Sequence, residues 1–299
     1  MRVDLLIAIL PSLLFGPLAI IIMYLGGDNR QQTLGEISGG FLVALVSVPF
    51  FAAGLTWQAA LIGFVAGILL AIGIHYQIQS FYHVGVSRAM PISTAGQIVV
   101  LSVMGIIMFA EWRRPGALPV GLAGVALVTL GVVLANWSDR REVRATDLHW
   151  GRGLLALAIS TFGLTSYILL LRYYSVDPLQ VFLPLIGGSL AGALVLTSPR
   201  FTPELGPVDT RWSINTVRQM IPGVLWGLGV IVMQVSIARV GVATGFTLSQ
   251  LGVIISAAGG VIILKERRTR RELWLMTLGI ALLIGGAVLV GVAKALDAG

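Results

Sequence analysis

Two copies of one short pattern, 156 residues apart in a chain of long apolar runs, constrain the fold more than any other feature. The first reads Val84-Gly-Val-Ser-Arg-Ala-Met-Pro-Ile-Ser-Thr94, and the second Val240-Gly-Val-Ala-Thr-Gly-Phe-Thr-Leu-Ser249. Gly96 and Ile98 hold the same register with Gly252 and Ile254. After one deletion the offset is 155, and Gly105/Gly260, Glu111/Glu266, Gly124/Gly279 and Gly131/Gly286 align. The chain therefore reads as two related halves, each mostly apolar.

Of 299 residues, 57% are hydrophobic and 11% charged, with a mean hydropathy of +0.93. An ordinary soluble domain carries about 25% charged residues. Only lipid as solvent accommodates this much apolar surface, so the bilayer is a partner. The net charge of +7 lies in short basic clusters between apolar runs, which read as topology signals and not as a nucleic-acid surface. The absence of cysteine excludes disulfides, thiolate metal sites and cysteine nucleophiles. The first run, Leu5 to Leu25, is longer than a signal core and shows no convincing cleavage site, so it is read as a membrane helix.

A membrane helix needs roughly 20 apolar residues. Ten such segments are predicted, at 4–25, 34–54, 59–82, 87–110, 117–136, 152–173, 178–197, 217–238, 241–264 and 272–293. The expected fold is an all-α integral membrane protein whose ten helices form two five-helix repeats, at 1–136 and 152–299, joined by a loop at 137–151. An odd number per repeat inverts the second relative to the first, the arrangement of a secondary transporter working by alternating access. Loops on one side of the membrane hold fourteen Lys and Arg and the other side six. The richer side is read as cytoplasmic, which puts both termini outside a plasma (inner) membrane.

The Val84–Thr94 motif, Ala8-Ile-Leu-Pro11, Gln32-Thr-Leu-Gly35, Pro222-Gly-Val-Leu-Trp226 and the stretch Arg239–Gln250 together resemble the bacterial glucose/ribose porter family of the drug/metabolite transporter superfamily. The resemblance covers nearly the whole chain. It implies uptake of a small neutral solute, a sugar such as glucose, by proton symport. Two departures stand out. Where the family carries a Trp-Ala-x-Gly-Gln type motif this chain has Leu70-Ala-Ile-Gly-Ile74, and Val230 stands where relatives carry an amide. These leave another sugar, a polyol or a different metabolite open.

Polar groups within apolar segments are functional candidates by default. In the third segment these are His75, Tyr76, Gln77 and Gln79. Gly63, Gly67, Ala71, His75 and Gln79 share one face, whose small residues would admit a neighbouring helix. His75 is the candidate proton-coupling group because imidazole titrates near physiological pH. The repeated motif contributes Ser93, Thr94 and Gln97 in the first half and Thr247, Ser249 and Gln250 in the second; Gln234 joins them. Hydroxyls and amides match the donor and acceptor pattern of a sugar, and Trp226 offers a ring face. Arg88, Arg239, Glu111 and Glu266 border the motif segments and are read as topology or gating residues. Pro11, Gly16 and Pro17 predict a kinked first helix.

No Asp or Glu falls near the middle of a predicted segment. Proton symport thus lacks an obvious carboxylate, and a facilitator, or an exporter of amino acids or other metabolites, stays open. An embedded enzyme is disfavoured, since no His-Glu-x-x-His, nucleophile elbow or phosphate loop is present, and neither a cofactor nor a metal is expected.

Overall fold

The computed structural model describes residues 10–137, 148–240, 249 and 252–298. Every regular element among them is helical. Seven helices are long and apolar enough to cross a membrane: α2 (Asn29–Phe51), α3 (Trp57–Val84), α4 (Val86–Phe109), α5 (Ala117–Ala135), α6 (Trp150–Tyr173), α8 (Ile214–Val240) and α10 (Arg270–Ala298). Three shorter apolar helices accompany them, α1 (Leu10–Leu25), α7 (Phe182–Leu196) and α9 (Gly252–Ile262). The start of the predicted ninth segment, 241–248, lies outside the described residues.

Local chemistry sets the ends. The helix predicted over 34–54 begins five residues earlier, because Asp28 and Gln31 form a reciprocal cap: the Asp28 carboxylate accepts from the Gln31 N–H at 3.0 Å and Gln31 Oε1 from the Asp28 N–H at 2.9 Å. The polar first turns of α2 fold inward. Arg30 is fully buried and donates to Thr202 Oγ1, Thr202 O, Gly206 O and Val208 O at 2.6–2.8 Å, which ties α2 to the loop after α7. The expected kink in α1 falls at Gly16–Pro17, where a turn separates Leu10–Phe15 from Leu18–Leu25. Pro91 sits inside α4 without ending it.

Between membrane helices there is little hydrophobic driving force, so close van der Waals contact at small residues holds them together. The α5–α10 pair is antiparallel, with Gly124 against Gly286 and Gly131 against Gly279; a Cβ on Gly124 would come within 2.8 Å of the Gly286 carbonyl. α2 and α8 run parallel, Gly39 meeting Gly223 and Gly227 meeting Val43. α3 and α7 also run parallel, and the predicted small-residue face is the contact: Gly63 on Val181, Gly67 on Leu185 and Ser189, Ala71 on Gly192. Large apolar side chains point outward, with Phe50, Trp57 and Trp274 about three-quarters exposed (74%, 74% and 77%), as a lipid-facing surface requires.

Matching devices end α4 and α9. Ala110 and Lys265, 155 residues apart, both take left-handed backbone angles (φ 57° and 55°). Each is followed by a glutamate whose N–H donates back six residues, Glu111 to Gly105 O and Glu266 to Gly260 O, both at 3.1 Å.

Candidate functional site

A cavity of about 200 Å³ lies among α1, α2, α3, α4, α6, α8 and α9. Its apolar wall comes from Phe15, Phe81, Met90, Trp226 and neighbouring aliphatics. Its polar groups are Glu36, Gln77, Thr94, Gln97, Tyr167, Ser249 and Ser256. A larger hollow of about 810 Å³ sits at the α3 N-terminus beside the α6–α7 connection, bordered by the highly exposed Trp57, and is a lipid- or solvent-facing recess.

Five of the sequence-predicted residues thus meet in one place: Gln77, Thr94, Gln97, Trp226 and Ser249. Ser93 stands just behind them, fully buried, accepting from Gln77 Nε2 at 2.8 Å and Gln97 Nε2 at 3.2 Å, so that it braces both amides. Trp226 is seated against Gly40, where any Cβ would meet the indole at 2.7 Å. Ser256 donates to Gly16 O at 2.7 Å, fixing α9 to the break in α1.

Other expected residues lie elsewhere. His75 does not line the cavity; it is buried against Asn29 Nδ2 at 3.3 Å and Thr33 Oγ1 at 3.2 Å, and it anchors α3 to the first turns of α2. Tyr76 packs edge-on against His75, with 5.3 Å between ring centroids. Tyr76 and Gln79 are half-buried, off the cavity. The side chains of Gln234, Arg239, Thr247 and Gln250 fall outside the described residues.

Glu266 caps α4: its carboxylate accepts from Val86 N–H at 2.6 Å, from Ser87 N–H at 3.1 Å and from the Ser87 hydroxyl. Beside it Arg268 donates to Ser87 Oγ at 3.2 Å and to Ala135 O at 3.0 Å, and Arg88 reaches Arg267 O at 3.4 Å. Burial, together with the nearby Arg88 guanidinium, pulls Arg268 down to about 10. At its counterpart position Glu111 pairs with Arg172, whose guanidinium lies 4.2 Å over the Phe109 ring.

Glu36 corrects the expectation that no carboxylate lies deep in a helix. Because α2 starts at Asn29, Glu36 sits two turns inside it, is 6% exposed and lines the cavity. In the sequence Glu36 stands at the edge of the predicted 34–54 segment, a lone acid in a Gly-rich apolar run. Phe15, Phe81, Tyr167 and Ser256 were missed as well; single aromatics and serines in apolar segments carry no distinguishing mark. Leu70 and Val230 both line the cavity.

Fold and cavity together define a multi-pass α-helical membrane protein enclosing a small, partly polar chamber between its helices. The comparisons with known proteins narrow this class. The chain belongs to the sugar transport protein family, whose model matches residues 6–293. The glucose uptake protein GlcU of Bacillus subtilis (strain 168) is 35% identical over 292 residues, 97% of this chain and 99% of its own. A Listeria monocytogenes relative named for sugar uptake is 36% identical over 291 residues, again 97% and 99%. A solved crystal structure aligns over 100% of this chain and 98% of its own, with TM-score 0.59 and 19% identity, a likeness of fold.

Proposed function

We propose that this protein takes up a sugar, glucose or a close relative, across the cell membrane by alternating access, coupled to protons, with the α1–α4/α6/α8/α9 cavity as the binding site. The observation that carries the reading is the cavity itself: amides, hydroxyls and a tryptophan face converge inside a chain matched end to end by sugar uptake proteins. Hydroxyl and amide groups donate and accept, as sugar hydroxyls do.

The packing supports two inverted repeats of five helices. Under that symmetry α2–α8 is the counterpart of α7–α3, and both pairs run parallel at glycines. Gly124–Gly286 maps onto Gly279–Gly131, as an antiparallel α5–α10 pair on a pseudo-two-fold axis requires. The loops support ten crossings. Arg30 with Thr202, and Arg88 with Arg267, join loops of the basic side, while Glu111 with Arg172, and Gln180 with Ala53 O at 2.9 Å, join loops of the other. The basic side is cytoplasmic in this reading, both termini are outside, and Glu266–Ser87 and Glu111–Arg172 serve as gates at opposite ends.

The test is uptake of radiolabelled glucose into proteoliposomes with and without an inward proton gradient, competed by a panel of sugars and amino acids. Gradient-driven accumulation blocked by sugars is expected. Equilibration without accumulation makes the protein a facilitator, and competition by amino acids alone refutes sugar as the substrate.

A further inference from the structure

Glu36 is the one carboxylate on the cavity wall, among the described residues, and no role above uses it. Its position is fixed from behind: the Glu36 carbonyl packs on Gly223, so α2 and α8 meet at this turn. Among the described residues nothing hydrogen-bonds to or ion-pairs with its carboxylate. An ionised carboxylate held dry and unpaired in a membrane helix is strongly disfavoured, whereas a neutral carboxyl is tolerated. We propose that Glu36 is the proton-carrying group of the sugar site; this rests on the sugar-uptake reading of the cavity.

The neighbouring titratable and charged groups leave that role to Glu36. On α2 itself Arg30 is spent on Thr202, Gly206 and Val208. On α3, His75 is held by Asn29 and Thr33, Tyr82 donates to Gly27 O at 2.8 Å, His83 lies beside His149, and Tyr76 is off the cavity. α6 contributes Tyr167, a neutral hydroxyl on the same wall; α8 contributes Arg218, which is exposed, and α1 the exposed Tyr24. Arg88 of α4 is turned to Arg267, and α7 and α9 carry no titratable side chain over their described lengths.

The step is a simple transfer. A proton from water binds a Glu36 carboxylate oxygen while the cavity is open outward, crosses with the sugar, and returns to water on the inside. No covalent bond to carbon changes. The protonated carboxyl both donates to and accepts from a sugar hydroxyl, whereas the carboxylate only accepts, so proton and sugar favour one another's binding reciprocally.

The experiment compares reconstituted wild type, Glu36→Gln and His75→Ala. Readouts are radiolabelled glucose accumulation, glucose counterflow without a gradient, and glucose-induced proton influx reported by a trapped dye. One proton per sugar under a gradient of about one pH unit supports about tenfold accumulation. Wild type and His75→Ala are expected to approach this. Glu36→Gln is expected to lose accumulation and proton influx and to retain counterflow. Accumulation by Glu36→Gln overturns the proposal. So does loss of its counterflow, because Gln keeps a donor and an acceptor for the sugar hydroxyl and should carry the sugar without a proton, and so does loss of accumulation with counterflow intact in His75→Ala. Wild type that equilibrates glucose without proton influx overturns the coupling and leaves sugar transport standing; wild type that moves no glucose removes the functional reading as well. Should Glu36→Gln not yield monodisperse protein, Glu36→Asp is expected to accumulate glucose with a shifted pH profile, and an unshifted profile overturns the proposal.

Discussion

Gly40→Ala probes the Trp226 face of the cavity without touching Trp226. The added Cβ would lie 2.7 Å from Cζ3 and 2.8 Å from Cε3 of the indole. Carbon atoms pack at about 3.5–4.0 Å, so the ring must retreat by about 1 Å. Overpacking of this kind costs about 1–3 kcal/mol of stability. If the solute stacks on the indole as proposed, with a contact comparable to an aromatic pair at about 0.5–1.5 kcal/mol, displacing the ring weakens half-saturation roughly two- to thirteenfold. The assay is glucose counterflow in proteoliposomes, with Trp226→Ala as the full loss of the face and the 77% exposed Trp274→Ala as the lipid-facing control. Gly40→Ala should fall between wild type and Trp226→Ala. Half-saturation unchanged in Gly40→Ala, or an equal effect of Trp226→Ala and Trp274→Ala, would remove the indole from the site.

Three further perturbations test the scaffold. Arg30→Ala strands four acceptors, and bonds from a charged donor contribute about 1.5–3 kcal/mol each; a large fall in melting temperature and new protease cleavage between residues 198 and 213 are expected, and an intact melt would sink the anchoring role. Gly131→Leu should part α5 from α10 and lower the melting temperature in detergent, whereas Gly285→Ala, with open space around it, should be neutral or raise it slightly; equal behaviour of the two would refute the glycine packing. Asp209, outside the helices, is held at about 2 by its hydrogen bonds with Arg211. A depressed carboxylate contributes stability above its unfolded value and loses it only as pH falls through the folded one, so this pair stays intact from pH 8 down to pH 5. Asp209→Asn should therefore leave the pH profile of transport over that range unchanged, and a shift would show that the loop titrates after all.

What the sequence disclosed follows from how each signal is encoded. The apolar runs are local, so the predicted spans lie close to the helices: 217–238 against Ile214–Val240, and 152–173 against Trp150–Tyr173. Gln77, Thr94, Gln97, Trp226 and Ser249 stand out because polar or aromatic-polar groups are rare in such runs, and the structure brings all five to one cavity. Glu36 and Arg30 escaped for one shared reason. A hydropathy window opens at Leu34 because Asn29–Thr33 are polar, yet those residues fold inward, Arg30 onto acceptors at Thr202 and Val208, 172 and 178 positions away. His75 shows the other limit. Spacing along α3 puts it on the face of Gly63 and Gly67, but where that face ends up depends on α7 and α2, which periodicity alone does not locate.

The two glutamates that close α4 and α9 stand 155 residues apart and make unequal contacts, an inequality that the proposed alternating access of two inverted halves requires. Glu266 holds the first amides of α4 and the Ser87 hydroxyl, whereas Glu111 is engaged by Arg172 at the opposite end. If these are opposing gates, loosening each should tip the conformational balance in opposite senses. A side-chain cap contributes about 0.5–2 kcal/mol, which shifts a two-state population by roughly two- to thirtyfold. The chain has no cysteine, so Thr94→Cys places a single thiol on the cavity wall. Adding Glu266→Gln should speed its labelling by an impermeant maleimide from the basic face, and adding Glu111→Gln from the other face. Both substitutions moving labelling in the same sense would mean that they merely loosen the bundle, and the gating assignment would fall while the cavity assignment stood.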